Sequence, residues 1–338
     1  MTQFSALTTT NVSRSYDGTQ IVSGVDLTLV PGTVTALLGK SGAGKSTLLR
    51  LLAGLEPVDS GEIKIGETVL SSPRKTTPPE TRKIGLIFQD FALFPHLNAA
   101  QNIMFGLAHL PPPERKTRAA EWLARLDLSA RAKAYPHELS GGEQQRIAIA
   151  RALAPSPAAI LMDEPFSGLD PSLRATVRTT ALDTIREAGV PALLVTHDAD
   201  EALSGADNIA IMDKGKILQQ GPAQDIYLHP VSAKAASALG PINCLPVASL
   251  PADLLNGISG TGDSLVLRPE GITLTPNAPT SATITAIHFH GPHKRIMLDL
   301  NGTQLVCVSD HSTETTIGSQ MGIALNPRAA FIFGSDDI

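Results

Sequence analysis

The run GKSGAGKST, residues 39–47, concentrates chemistry suited to phosphate. It fits G-x-x-x-x-G-K-[ST], with Gly39, Gly44, Lys45 and Ser46 at the fixed positions, Lys40, Ser41, Gly42 and Ala43 between them, and Thr47 following. Glycines let successive backbone N–H groups curl around phosphate oxygens, and a helix N-terminus adds a favourable dipole. A lysine at this offset reaches the outer phosphates, and the Ser46 hydroxyl suits Mg2+. The apolar TVTALL precedes the run and the helix-like LLRLLAG follows, so the strand–loop–helix context is present. AILMDEP, residues 159–165, reads as a buried strand closing on two acids. Asp163 at its end can hold Mg2+, directly or through water. Glu164 can polarise a water for in-line attack on a terminal phosphate. An acidic pair at a strand end is otherwise ordinary helix capping; the nearby phosphate loop favours the site.

LSGGEQQR, residues 139–146, is a second glycine-bearing helix start, ahead of IAIARALA. Its Ser140, Gly141 and Gly142 offer unpaired backbone donors to an anion. Taken with Gly39–Thr47 and Asp163–Glu164, this run resembles the signature of the ATP-binding cassette family. The resemblance covers about residues 5–235 and extends to the smaller motifs in order: Tyr16 in VSRSYDG, Gln89 in LIFQD, Ser167–Asp170 as SGLD, and His197 in LVTHD. One departure is Glu143, where many members carry glutamine; it lies outside the Ser-Gly-Gly core.

The resemblance implies ATP and Mg2+ as cofactors and ATP hydrolysis as the activity. Tyr16 takes the place of the aromatic that stacks on adenine, and Asp170 belongs to the nucleotide-contacting set. Gln89 matches a sensor of Mg2+ and the attacking water, Glu164 the base, and His197 the residue that contacts the γ-phosphate and orders the geometry. It further implies a homodimer packed head to tail, with Ser140–Gly142 of one copy closing over the γ-phosphate held by the other. Alone, Tyr16 reads as a half-buried strand aromatic, Gln89 as a solvated strand end, and His197 as a structural histidine.

These residues need elements to hold them. Apolar runs (TVTALLG, KIGLIFQ, AAILMD, PALLVTH, NIAIMD) alternate with helix-period segments, which predicts an α/β fold with a mostly parallel sheet covered by helices. The resemblance makes this a P-loop NTPase core over 1–238, with an α-helical subdomain at about 90–154 in which PPPERKTRAAEWLARL is the clearest helix. Residues 239–338 change to short alternating stretches such as SLVLRP, ATITAI, RIMLDL and QLVCV, with Asn301–Gly302 a strong hairpin signal. This predicts a small all-β domain, and LRPEG (267–271) resembles the oligonucleotide-binding-type regulatory barrels that end many such subunits. His288, His290 and His293 suggest either a metal site or a histidine-rich hairpin.

A formal charge of −5 gives no basic field for nucleic acid, and two cysteines, Cys244 and Cys307, make no disulfide framework. No signal peptide and no membrane span are legible, so a peripheral position on the cytoplasmic face of the membrane is expected, with permease subunits as separate chains. FALFPHL, residues 91–97, reads equally as core or as a docking surface for such a partner. The β-rich tail resembles importers served by a periplasmic or surface solute-binding protein. Ferric-ion importers fit best, with polyamine, thiamine, sulfate and phosphonate importers close by. A soluble cassette ATPase not engaged in transport is the alternative of a different class; those of DNA repair or translation carry a long coiled-coil insertion or a second cassette, which this sequence does not show.

Overall fold

Asp17 and Gly18, both in the left-handed region (φ 47° and 77°), turn β1 (Leu7–Tyr16) back onto β2 (Thr19–Leu29) as an antiparallel hairpin. Asp-Gly is the residue pair such a two-residue turn favours. The chain continues through β3 (Val34–Leu38), α1 (Lys45–Ala53), β4 (Ser60–Ile65), β5 (Thr68–Ser72), β6 (Lys75–Thr76), α2 (Pro79–Arg82) and β7 (Ile84–Ile87). Next come α3 (Ala99–Gly106), α4 (Pro112–Arg125) and α5 (Gly141–Leu153). Then follow β8 (Ala159–Asp163), α6 (Pro171–Ala188), β9 (Ala192–Thr196), α7 (Ala199–Gly205), β10 (Asn208–Asp213) and β11 (Lys216–Pro222). The computed structural model describes residues 4–334.

The five apolar runs of the sequence become β3, β7, β8, β9 and β10, parallel neighbours in one sheet of order β11-β10-β3-β9-β8-β7, with β11 antiparallel at the edge. Every residue of β3 and β9 is buried, as strands covered on both faces require. Successive residues face opposite layers. Leu161, Leu193 and Val195 pack with Leu48, Leu51 and Leu52 of α1, whereas Ile160, Met162 and Leu194 pack with Ala148 and Ile149 of α5 and Ala181 and Ile185 of α6. A second sheet, β2-β1-β4-β5-β6, is antiparallel and closes over α1 through Leu7, Leu27 and Ile63. The strand–helix rhythm does not reveal this layer, because its strands come as β1–β2 and β4–β6 runs with no helix inside either run and with alternating burial.

Arg82 anchors α1 from behind. It is 2% exposed and donates from Nη1 to the Leu51 and Leu52 carbonyls at 3.0 and 2.8 Å, satisfying acceptors that a helix C-terminus leaves open. Burial draws its guanidinium down to about 10. Within 90–154 the described elements are helical, and α3, α4 and α5 share a cluster around Ile103, Leu123 and Ile147.

The chain divides into two compact units, Met1–Ala223 and Gln224–Ile338. The second begins within α8 (Ala223–Leu228) and contains α9 (Ala233–Ala238), which the sequence reading groups with the preceding domain; Ala233 and Ala236 pack on Val266. Its strands are β12 (Asn243–Pro246), β13 (Ser264–Leu267), β14 (Ile272–Leu274), β15 (Ser281–His290), β16 (His293–Leu300), β17 (Thr303–Ser309), β18 (Gln320–Leu325) and β19 (Ala330–Phe333). They form sheets β12-β13-β19 and β14-β18-β15-β16-β17 around Leu265, Ile284, Ile296 and Leu298. Asn301 and Gly302 make the β16–β17 turn. Arg268 of LRPEG is 2% exposed, with its guanidinium 3.8 Å from the Tyr227 ring centroid, and Tyr227 donates to Glu270.

Candidate functional site

The loop from Gly39 to Gly44 joins β3 to α1 at the C-terminal end of the parallel strands, where open α/β sheets place their ligands. Two of its glycines are obligatory. A Cβ at Gly39 would lie 2.3 Å from the Met212 carbonyl oxygen. Gly44, the N-cap of α1, has φ 102°, and a Cβ there would lie 2.5 Å from the Ile21 carbonyl oxygen. No side chain caps α1 and its first turn holds no acid, which suits its leading N–H groups to an anion. Lys45 is 7% exposed, with Nζ donating to the carbonyls of Gly39 at 2.7 Å and Lys40 at 3.2 Å. Burial draws its ammonium below the ordinary lysine value, against the opposing pull of Glu164 and Asp163.

A cleft of about 730 Å³ opens here, lined by residues 40–47 together with Ile21, Glu164 and His197. Glu164 reaches it from just beyond β8, whose last residue is Asp163. Burial first, then the neighbouring Glu164 carboxylate, push the Asp163 carboxyl above the usual range, while Arg50 and Lys45 pull the other way. Ser46 and Asp163 are hard oxygen donors, and a half-buried acid held against a second acid is an environment that a divalent cation relieves; the donor set fits Mg2+. Glu164 sits in the left-handed region at φ 44°, a conformation unfavourable for a residue with a Cβ. Its N–H donates to Val195 O at 3.0 Å and its carbonyl accepts from Ser167 Oγ at 2.9 Å. His197, just beyond β9, places Nδ1 2.9 Å from Glu164 Oε1. Strands β8 and β9, adjacent in the sheet, thus deliver Glu164 and His197 to one wall of the cleft.

The remaining sequence-selected residues are elsewhere on the first unit. Tyr16 closes β1, donates to Glu56, and has the Arg14 guanidinium 5.0 Å from its ring centroid. Gln89 is exposed just after β7, on the same sheet edge as the two acids. Asp170 is the N-cap of α6, accepting from Ser172 N at 2.8 Å. Ser140 is the N-cap of α5, Gly141 is exposed, and Gly142 is buried where a Cβ would lie 2.9 Å from Val177 Cγ2. None of these six lines the cleft. FALFPHL is partly at the surface of the helical region: Phe91 is buried, Pro95 and His96 are exposed, and the half-buried Phe94 has its ring 4.3 Å from that of Phe105, tilted against it and itself 56% exposed. His290 and His293 stack at 5.8 Å across the β15–β16 hairpin, and among the described residues no three ligating side chains gather around a metal position.

Glu143 proves structural. Its carboxylate accepts from the Ser140 N–H at 2.8 Å and the Ser140 hydroxyl at 3.0 Å, while Ser140 Oγ accepts from Glu143 N. Arg131 Nε holds the same carboxylate at 2.9 Å. The Ser-x-x-Glu spacing is a capping box, a signal present in the sequence. Burial works to raise the Glu143 carboxyl, but the Ser140 amide, Arg131 and the Ser140 hydroxyl outweigh it and hold it below 4.5. The folded state therefore binds fewer protons than the unfolded one just below pH 4.5, so the contribution is complete above that pH and fades as pH falls. Glu143→Gln is expected to lower stability at pH 7 by roughly 0.2–1 kcal/mol, the range for a partly exposed ion pair. Thermal unfolding of both proteins at a series of pH values should show the Tm difference closing below pH 4.5. A gap that does not shrink as the pH falls below 4.5 rules this account out.

Residues 22–167 match the family model described as ABC transporter, and residues 265–333 match that of the TOBE domain. The chain is 36% identical over 343 residues to the Fe(3+) ions import ATP-binding protein FbpC 2 of Haemophilus influenzae, covering 96% of each chain. It is 44% identical over 235 residues to the putrescine transport ATP-binding protein PotG of Escherichia coli, covering 69% of this chain and 61% of PotG. Among solved structures, it resembles the dimeric post-hydrolysis state of the ATP-binding cassette MJ0796 bound to ADP and Pi, with TM-score 0.55 and 30% identity, over 64% of this chain and 98% of the other. No helix among the described residues is long and apolar enough to cross a membrane. A cleft walled by Lys45, Glu164 and His197 and an end-to-end likeness to an import ATPase lead to one assignment: this chain belongs to the ABC transporter family, as an ATP-hydrolysing subunit of the importer type.

Proposed function

We propose that the chain is the ATPase subunit of a ferric-ion importer. The carrying observation is the cleft in which the loop 39–47, the ammonium of Lys45 and the hydrogen-bonded pair Glu164–His197 face one volume. The N–H groups at the start of α1 bind the β- and γ-phosphates, and Lys45 pairs with their charge. Ser46, Asp163 and Gln89 would hold Mg2+, which supplies charge neutralisation on the phosphate oxygens. Glu164 accepts a proton from the attacking water, and His197 keeps its carboxylate aimed. Tyr16 stacks on adenine, and Asp170 contributes from the segment after the acids.

Ser140, Gly141 and Gly142 do not line their own chain's cleft, and this separation supports a head-to-tail dimer in which they close over the partner copy's γ-phosphate. The exposed Phe105 ring, packed on the half-buried Phe94, favours the docking reading of 91–97, with integral permease subunits as the partners and the inner face of the membrane as the location. A solute-binding protein delivers cargo from the far side, and the C-terminal unit regulates. The name of the Haemophilus relative supports iron, and that of PotG supports a polyamine. The test is uptake of labelled ferric ion, putrescine, thiamine, sulfate and a phosphonate in cells carrying the chain or its Lys45→Ala variant. Loss of ferric uptake alone is expected. Loss of putrescine uptake with iron entry intact assigns the polyamine reading instead.

A further inference from the structure

Gln145, in the second turn of α5, is 0% exposed. Neither its amide nitrogen nor its carbonyl oxygen has a hydrogen-bond partner among the described residues. An unpaired buried amide is destabilising, and an apolar side chain of similar shape avoids the penalty. Gln145 belongs to the face of α5 that packs toward Leu169 and Val177. Gly141 and Gly142, four and three residues earlier, share its helix face. A Cβ at Gly141 would lie 3.1 Å from Leu169 Cδ2, and one at Gly142 2.9 Å from Val177 Cγ2. Ala148 and Ile149, one turn on, pack in one cluster with Phe166, Leu169 and Val177. From the other side, Arg174 Nη2 donates to the Leu169 carbonyl at 3.1 Å, while its own Nε is buried and unpaired.

Arg174 thus holds the main chain of the segment Ser167–Asp170 at Leu169, and Gln145 lies on the helix face packed toward the same residue. The segment is uncrowded at Gly168, where a Cβ would meet nothing within 4 Å. It also adjoins the base, because Ser167 Oγ donates to the carbonyl of Glu164. A glutamine amide carries both N–H donors and a carbonyl acceptor, the complement of a peptide group.

We propose that Gln145 is a positioning residue whose amide pairs with the main chain of Ser167–Asp170 only in the ATP-closed state, tying the signature helix to the placement of Glu164. The proposal rests on the head-to-tail reading above. A residue unpaired in the resting fold and paired in the closed one penalises the first and favours the second, which biases a two-state element.

The test uses the full chain with Gln145→Leu, and Gln145→Met as a second apolar variant. Both should match or exceed the parent Tm, keep KM for ATP within about twofold, and lose roughly tenfold in kcat, the effect of one hydrogen bond made only on closure. Adding Gln145→Leu to Glu164→Gln should reduce the dimer formed in ATP and Mg2+. A lower Tm in both variants means the amide is already paired at rest and overturns the proposal, as does an unchanged kcat. If Glu164→Gln forms equal dimer with and without the second substitution, this proposal alone fails. If Glu164→Gln never dimerises, the head-to-tail reading fails and takes this proposal with it.

Discussion

Glu164→Gln is expected to bind ATP as the parent does and to hydrolyse it about 10²–10⁴-fold more slowly, the span that general-base groups contribute. The substitution keeps the shape of the side chain and a hydrogen bond to His197, whose Nδ1 lies 2.9 Å from Oε1 in the parent. It removes the carboxylate that accepts the proton of the attacking water. The φ of 44° at this position is set by the backbone, where Val195 O and Ser167 Oγ hold both peptide groups of the residue, so the variant inherits the geometry. Binding without turnover should trap the closed state, and light scattering in ATP and Mg2+ should report a dimer. A monomer under those conditions would remove the basis for placing Ser140–Gly142 across a two-fold axis. Turnover at the parental rate would remove Glu164 from the chemistry.

Lys45→Ala is expected to weaken ATP binding by roughly 30- to 1,000-fold, about 2–4 kcal/mol for losing a buried charge-assisted contact. Lys45 is prepared for this contact. Burial has already drawn its ammonium below the ordinary lysine value, and the Gly39 and Lys40 carbonyls hold Nζ in the loop. Phosphate oxygens complete a charge that the fold has partly desolvated. Alanine also leaves those two carbonyls without their donor, so part of the loss will appear as a less ordered loop. Isothermal titration with a non-hydrolysable ATP analogue separates this from the Glu164 effect: Lys45→Ala should lose affinity and Glu164→Gln should keep it. Equal affinities for parent and Lys45→Ala would displace the phosphate site from this loop.

Three levels of the molecule differed in how plainly the sequence announced them. The parallel strands were legible because burial on both faces forces unbroken apolar runs, as in Val34–Leu38 and Ala192–Thr196. The loop geometry was legible because it is local: a strand end, a glycine-rich turn and a helix start fall within one short run, and residues 40–47 line the cleft. The β16–β17 turn was legible because few residue pairs accept two left-handed positions, and Asn301–Gly302 is one of them. Ser140 to Glu143 was half legible. The spacing of a capping box stood in the sequence, but the clamp by Arg131 joins residues from different elements and needed the fold.

Residue types and local spacing determined by themselves which side chains could meet phosphate, a divalent cation and water, because those requirements are met within a strand end, a loop or a helix start. Tertiary structure alone decided that Glu164 and His197, carried by neighbouring strands, share a hydrogen bond on one cleft wall. It also decided that the antiparallel sheet closes over α1, that Gly142 is a packing position beneath Val177, and that Gln145 is buried without a partner. Each of these depends on contacts between segments far apart in the chain. Such contacts follow from how the sheet order brings elements together, which no local pattern of residues encodes.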